Sequence, residues 1–369
     1  MIVQSLELKN YRNYQDIKMD FHPGTNLLYG DNAQGKTNAL ESIYLCATSK
    51  SHKGAKDKEI IRFGEEEAHI KLIVEKRGVP NRIDIHLKKN KTKGVAVNGS
   101  PIRKVTELFG ILNVVFFAPE DLNIIKNSPA ERRRFLDLEL CQLDKIYAHN
   151  LVNYNKVIVQ RNKLLKEMDG RAGWYETLDV WDEQMTSYGV PLIARRRAFV
   201  RELAGIVQEI HYSLSGGREQ VEICYASNVS EEDFKKVLAK ERGRDLKMRA
   251  SLTGPHRDDI RFLINGVDVR HFGSQGQQRT AALSLKLAEI EIVKQRVKDS
   301  PILLLDDVLS ELDGSRQNQL LQRISHIQTI MTGTGLDDFV EHCFHIDKTF
   351  HIENGNVVGG FNEQQQSGI

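Results

Sequence analysis

The sequence contains no apolar run that approaches the length of a membrane span. Runs such as Ile302 to Leu305 behind Pro301 fall far short of the roughly 20 residues needed to cross the hydrocarbon core. The N-terminus, Met1-Ile2-Val3-Gln4-Ser5-Leu6-Glu7, has no basic segment followed by an apolar one, which argues against secretion and implies a cytoplasmic protein. Cysteine is sparse: Cys46, Cys141, Cys224 and Cys343 are scattered with no C-x-x-C spacing, which argues against a zinc site and a disulfide framework alike. Charge of one sign is missing too. A formal net charge of +2 leaves any binding to nucleic acid to local clusters of Lys and Arg. No internal repeat is visible, and the only low-complexity stretch is the short Gln364 to Gln366 tail. At 369 residues and 40% hydrophobic, the chain has material for about two domains with a sizeable core.

Against these absences one motif stands out. Thr25-Asn26-Leu27-Leu28-Tyr29 runs into Gly30-Asp31-Asn32-Ala33-Gln34-Gly35-Lys36-Thr37, which matches the phosphate-loop pattern G-x-x-x-x-G-K-[ST] at every fixed position, between a β-rich run and a helix-forming segment. Gly30 and Gly35 allow the backbone of Asp31, Asn32, Ala33 and Gln34 to turn its N–H groups toward a phosphate, and the helix N-terminus at Asn38 adds the positive end of its dipole. Lys36 supplies a mobile positive charge for the β- and γ-phosphates, and Thr37 a hydroxyl for Mg2+. ATP and Mg2+ are the cofactors expected.

Three regions follow along the chain. Residues 1–124 alternate short β-type runs (Val3 to Leu8, Thr25 to Tyr29, Ala68 to Glu75, Arg82 to Leu87, Gly94 to Val97) with turns, and Val97-Asn98-Gly99-Ser100 carries a hairpin signal. Residues 125–249 change to apolar positions three and four apart, as in Arg133 to Gln160 and Val190 to Leu214, with a break at Gly170 to Gly173. Residues 250–369 return to β/α alternation and end in strands at Thr349 to Glu353 and Val357-Val358 around Asn354-Gly355-Asn356. The expectation is an α/β head, residues 1–124 and 250–369, interrupted by an inserted α-helical lobe.

Pro301-Ile302-Leu303-Leu304-Leu305-Asp306-Asp307 fits a plain buried strand of a parallel sheet, or a strand whose first carboxylate, Asp306, helps hold Mg2+. The phosphate loop on the same chain favours the second, because both features belong at the carboxyl edge of an α/β sheet. Asp307 is then the candidate catalytic base that polarises the attacking water, or else it caps the following turn. Phe272-Gly273-Ser274-Gln275-Gly276-Gln277-Gln278-Arg279-Thr280 opens a helix, where Ser274 is an N-cap and the group could also receive an anion. The series Ser-x-Gly-Gln, acidic strand, then Ser310-Glu311-Leu312-Asp313 resembles the signature, Walker B and D-loop of the ABC ATPase superfamily.

Within that superfamily the chain resembles the RecF family. The residues that carry the resemblance are Leu8 to Tyr14, Gly30 to Thr37, Phe117 to Leu122, Arg132 to Asp137, Gly254 to Asp259 and Gly273 to Arg279. It implies an ABC-type head that binds ATP between two copies, so that Ser274, Gly276 and Gln277 of one copy close on the nucleotide held by Lys36 and the phosphate loop of the other. It further implies an ATP-dependent homodimer that binds double-stranded DNA and double-strand/single-strand junctions without sequence preference, works with RecR and RecO, and helps load RecA at single-strand gaps. Arg12 is implied as a nucleotide contact, and Glu120 as the hinge position where relatives carry a Q-loop; as plain residues, they read equally as a loop charge and a helix-start cap. His256, after Gly-Pro, reads as a turn residue within the Gly254 to Asp259 segment that carries the resemblance. The chain departs from the wider pattern in placing Asp307 where most members have Glu, and Thr332-Gly333-Thr334 where a histidine is usual, from which we expect slow hydrolysis.

The basic candidates for DNA are Lys50, Lys53, Lys56 and Lys58; Lys88, Lys89, Lys91 and Lys93; Arg132 to Arg134; and Arg195 to Arg197. Three other classes fit less well. A small-molecule P-loop kinase needs no Ser-x-Gly-Gln helix start, and an ABC transporter subunit gives no reason for a long inserted segment with its own arginines. A head with long coiled coils needs far more heptad sequence than residues 125–249 offer.

Overall fold

The computed structural model describes residues 1–167, 174–309, 312–334 and 345–359. The Gly170 to Gly173 break, Ser310 and Glu311 of the D-loop-like segment, Cys343 and the Gln364 to Gln366 tail lie outside the described residues. The chain forms two compact units: Met1–Asp121 with Glu289–Ile369, and Leu122–Ala288.

The first unit holds two six-stranded sheets. One is antiparallel, in the order Tyr14–Asp20, Ile2–Tyr11, Glu67–Lys76, Val79–Lys88, Gly94–Val97, Ser100–Pro101. Its strands alternate as expected of a half-buried sheet: Leu6 and Leu8, Ala68, Ile70 and Leu72, and Ile83, Ile85 and Leu87 are buried, with polar residues between them. Asn98 and Gly99 both take positive φ, 52° and 79°, as a two-residue hairpin turn requires. The other sheet runs Asn356–Gly359, Lys348–Glu353, Thr25–Tyr29, Thr329–Gly333, Ile302–Leu305, Val114–Phe117. All its neighbouring strands are parallel except the terminal hairpin Lys348–Glu353 with Asn356–Gly359. Ile302–Leu305 and Val114–Phe117 are buried at every residue, the pattern of parallel strands covered on both faces. The Thr329–Gly333 strand therefore lies between the strand that feeds the phosphate loop and the strand that ends at Asp306.

The second unit is mainly helical, with Pro129–Leu143, Lys145–Glu167 and the 41-residue Trp174–Leu214 as its long helices. The segment Arg133 to Gln160, read as one periodic run, breaks at Asp144. That residue is extended (φ −143°, ψ 105°), and its carboxylate accepts from the N–H groups of Ile146 and Tyr147 at 2.9 and 3.0 Å, starting the next helix. A strand inside the stretch read as helical, Val221–Ala226, pairs antiparallel with Asp259–Ile264. This pairing explains why the unit extends past residue 249 to Ala288: residues 250–288 supply the partner strands.

Buried ions hold this unit together. Arg196 is 2% exposed. Its guanidinium donates to Tyr147 Oη (2.9 Å), Pro255 O (2.6 Å), Asp258 Oδ2 (3.2 Å) and Asp137 Oδ1 (2.7 Å). Asp258, fully buried, also accepts from the Tyr225 hydroxyl and from Asn228 N–H. Arg161, also fully buried, spans Asp182 (2.7 Å), Asp245 (2.6 Å) and Ser251 Oγ (2.8 Å). These contacts join segments far apart in sequence, and each charge is matched because an unmatched one in such surroundings is strongly destabilising. We predict that Arg196→Ala, which strands Asp258 and Asp137, destabilises this unit by about 3–5 kcal/mol. Thermal unfolding followed by circular dichroism would show it, and a melting temperature within a degree of the parent would contradict it.

Candidate functional site

The phosphate loop leaves the Thr25–Tyr29 strand and enters the helix Lys36–Thr48. Gly30 and Gly35 sit at φ 146° and 118°, where a side chain is disfavoured. A Cβ would also come within 2.3 Å of Ile352 O at Gly30 and 2.5 Å of Asn13 Nδ2 at Gly35. The helix N-terminus carries no side-chain cap, so its amides are not claimed by a neighbouring residue's side chain, the arrangement that suits an anion. Asp31, Asn32 and Ala33 are exposed. Lys36 is 5% exposed and folds back so that Nζ donates to Gly30 O (2.6 Å) and Asp31 O (2.9 Å).

Two turns brace the loop from outside. Asn13 Nδ2 donates to Gln34 O at 2.6 Å, Asn38 Nδ2 donates to Asn13 Oδ1 at 2.9 Å, and the Tyr14 hydroxyl donates to Gly35 O at 2.8 Å. From the C-terminal hairpin, Asn354 N–H donates to Gln34 Oε1 (2.5 Å) and Gly355 N–H to Gln34 O (3.2 Å). Asn13, Tyr14, Asn354 and Gly355 were not singled out as site residues from the sequence, although Asn13 and Tyr14 fall in the Leu8 to Tyr14 segment that carries the family resemblance.

The acidic strand meets the loop at its end. The Thr37 hydroxyl donates to Asp306 Oδ1 at 2.7 Å. Thr332, at the end of the intervening strand, offers its one hydroxyl proton to Asp306 Oδ1 (3.0 Å) and Asp307 Oδ1 (3.2 Å), and accepts from Asp307 N–H at 3.0 Å. Asp306 is 6% exposed. Burial raises its carboxyl above the ordinary carboxylate range, against the opposing hydrogen bonds of Thr37 and Thr332. Asp307 has φ 51°, uncommon for a non-glycine residue and a conformation held by its surroundings. The structure thus brings together Lys36, Thr37, Asp306 and Asp307, and adds Thr332, which sequence reasoning treated only as a missing histidine.

Arg12, also at positive φ (52°), makes a two-pronged pair with Glu41 on the phosphate-loop helix, at 2.9 and 2.8 Å, and donates to Glu59 O at 3.0 Å. Burial by itself would raise the Glu41 carboxyl; hydrogen bonds from Arg12 and Ser51 outweigh it and hold the group below the ordinary range. Glu120 is exposed in the turn Pro119–Asp121 that follows Val114–Phe117, and Asp121 rather than Glu120 accepts the turn's Ala118 N–H, at 2.8 Å.

In the second unit, Ser274 and Gln277 form a reciprocal cap: Gln277 N–H donates to Ser274 Oγ (3.2 Å), and Ser274 N–H to Gln277 Oε1 (2.9 Å). Gln277 Nε2 also donates to Glu219 at 3.0 Å. Ser274 and Gly276 are exposed, as is Phe272 before them. His256 is a turn residue with both ring nitrogens engaged, Nδ1 with the Tyr154 hydroxyl and Nε2 with Ser251 O, each at 2.9 Å.

Among the DNA candidates, Arg132 and Arg196 require correction, because both are buried. Arg132 is buried and paired with Asp259 (2.6 Å), Arg133 donates to Asp258 O (2.7 Å), Arg195 pairs with Asp144 (2.7 Å), Arg196 is internal and Arg197 lies 3.4 Å from Glu231. They are engaged by the unit's own acceptors. Lys88, Lys89 and Lys93 pair with Glu67, Glu66 and Asp57. Lys50, Lys53, Lys56 and Lys58 remain exposed just after the phosphate-loop helix.

A glycine-rich phosphate loop and an acidic strand separated by one strand of a parallel sheet are the parts of a P-loop nucleotide-binding head. A family model described as the RecF/RecN/SMC N-terminal domain matches residues 2–355. A DNA replication and repair protein RecF of Agathobacter rectalis is 59% identical over 97% of this chain and 99% of its own length. A solved structure of the recombination mediator protein RecF-ATP in the RecFOR pathway superposes with a TM-score of 0.89 at 36% identity, covering 96% of each chain. The Smc head domain of Pyrococcus furiosus shares the fold, at a TM-score of 0.57 and 16% identity over 99% of this chain and 98% of its own. The chain belongs to the RecF family. Among the described residues, no helix is long and apolar enough to cross a membrane.

His256 gives a prediction that does not depend on any ligand. Burial, joined by the charges of Arg257, Arg133 and Arg161, lowers its pKa from 6.5 to about 4. The unfolded chain therefore takes up the proton first as pH falls. The stability due to neutral His256 is intact above pH 6.5, falls by about 2 kcal/mol by pH 5 and is fully lost below about pH 4. Melting temperatures measured from pH 7.5 to 5 should fall more steeply for the wild type than for His256→Gln; parallel curves would refute the assignment.

Proposed function

We propose that this chain is an ATP-dependent, sequence-nonspecific DNA-binding protein of recombinational repair, in which ATP closes two copies on each other and slow hydrolysis releases them. The observation that carries this reading is the Thr37–Asp306–Thr332 cluster beside a phosphate loop with an uncapped helix N-terminus. The name of the RecF-ATP structure supports ATP as the nucleotide, and the names of the relatives support a role in DNA replication and repair. The pathway in that structure's name, RecFOR, supports RecO and RecR as partners; loading of RecA at gaps follows from the family resemblance.

Lys36 is the mobile charge: its ammonium, held by the carbonyls of Gly30 and Asp31, exchanges these for phosphate oxygens. The amides at the start of the Lys36–Thr48 helix receive the same group. The hydroxyl of Thr37 and the carboxylate of Asp306 are hard oxygen donors that fit Mg2+, whose charge would favour the ionised form that burial of Asp306 disfavours. When bound, Mg2+ would neutralise charge on the transferring phosphoryl group. Asp307 accepts the proton of the attacking water, and Thr332 sets its orientation through the contacts on either side of the residue. Asp307 is one methylene shorter than glutamate and tied to Thr332, which supports slow turnover. Arg12 joins the nucleotide only by leaving Glu41, and Glu120 reports nucleotide state at the sheet edge. Ser274, Gly276 and Gln277 act on the nucleotide of the other copy.

DNA is held through phosphates by Lys50, Lys53, Lys56 and Lys58. The distinguishing experiment is sedimentation with and without ATP and Mg2+. Wild type should dimerise; Lys36→Ala should neither bind ATP nor dimerise; Ser274→Arg should bind ATP and stay monomeric. Normal dimerisation of Ser274→Arg would remove the signature segment from the interface. The affinity for duplex DNA should fall steeply with salt, and Lys53→Glu with Lys56→Glu should reduce the log–log slope by about 1 per phosphate that is no longer neutralised. An affinity indifferent to salt would refute the phosphate-contact reading.

A further inference from the structure

The antiparallel sheet of the first unit places a second cluster of donors away from the phosphate loop. His69 lies directly opposite His86 in the pairing of Glu67–Lys76 with Val79–Lys88. Side chains two residues apart share a face, so Glu67 joins the two histidines on the polar face, while Ala68, Ile70 and Leu87 turn to the buried side. The imidazoles stack with ring centres 4.1 Å apart and planes 14° apart. His86 Nε2 is 3.2 Å from Glu67 Oε2, and one donor atom from each of the three residues lies within 4.8 Å of the others. A tetrahedral cation with bonds of about 2.1 Å needs donors roughly 3.4 Å apart. One pair already has that spacing, and His69 completes the set by a side-chain adjustment of at most about 1.4 Å.

The surroundings favour ligation over a simple ring stack. Asp84, on the same strand face as His86, gives Oδ1 to Arg82 at 3.0 and 2.8 Å, while its Oδ2 is buried without a hydrogen-bond partner. A carboxylate oxygen in that state beside a histidine pair is suited to orient a metal-bound imidazole. Lys88, 3.2 Å from Glu67 and exposed, is the competitor, and an exposed pair of this kind exchanges readily. Two imidazoles with one carboxylate select a borderline transition-metal ion over Mg2+ or Ca2+.

We propose that Glu67, His69 and His86 form a three-ligand site for a divalent transition-metal cation, Zn2+ in the first instance, with the fourth position left to water. By linking two neighbouring strands the cation would stabilise the antiparallel sheet, and the site is independent of the nucleotide reading. The test is titration of the full chain with Zn2+ by calorimetry, and with Co2+ followed by visible absorption. Wild type should bind one equivalent saturably, gain a tetrahedral Co2+ band and melt at higher temperature with Zn2+. His69→Gln and His86→Gln should each weaken binding at least tenfold and lose the band, while melting like the wild type in EDTA. Excess Mg2+ should not compete. Absence of a saturable equivalent in the wild type, or Zn2+ affinity in both histidine variants equal to that of the wild type, would overturn the assignment.

Discussion

The hydrogen bond from Thr37 to Asp306 joins residues 269 positions apart, and the organisation of the first unit can be understood from what that bond requires. The helix that starts at Lys36 must sit at the carboxyl edge of a parallel sheet, and the strand ending at Leu305 must reach the same edge. The strand order supplies both conditions by inserting Thr329–Gly333 between them. Thr332, at the end of that strand, then bridges Asp306 and Asp307 with its hydroxyl. Buried carboxylates are tolerated only where hydrogen bonds compensate their lost hydration, and Asp306 has two such donors.

The same need to match buried charge governs the second unit, with a different outcome. Arg132, Arg161 and Arg196 are almost wholly buried and matched to Asp259, Asp182, Asp245, Asp137 and Asp258. Two segments that carry the family resemblance, Arg132 to Asp137 and Gly254 to Asp259, contribute Arg132, Asp137, Asp258 and Asp259 to these pairs. This removes Arg132 and Arg196 from the candidate contacts for DNA and leaves the exposed lysines, those after the phosphate-loop helix among them.

The polar face of the antiparallel sheet illustrates how register creates chemistry. Glu67, His69 and His86 are ordinary as separate residues of two strands, and a shift of one residue would turn His69 toward the core and dissolve the cluster. Phosphate loop and histidine pair both depend on backbone geometry, but the first is built from eight consecutive residues and the second from a pairing across a hairpin.

That contrast separates what was legible from what was not. The sequence alone determined the phosphate loop, the acidic strand, the alternation of the sheet strands and the capped helix at Ser274, because each is a local pattern whose physical meaning lies in a few neighbouring residues. Val221–Ala226 passed for helix because six residues of mixed polarity do not declare their partner. Only the tertiary structure decided that Thr332 bridges two aspartates, that Asn13 and Asn354 brace Gln34, that Arg12 is held by Glu41, and that Arg132 and Arg196 turn inward. Those outcomes depend on strand order, register and burial, which bring distant residues to one place and are set by the packing of the whole chain rather than by any short segment of it.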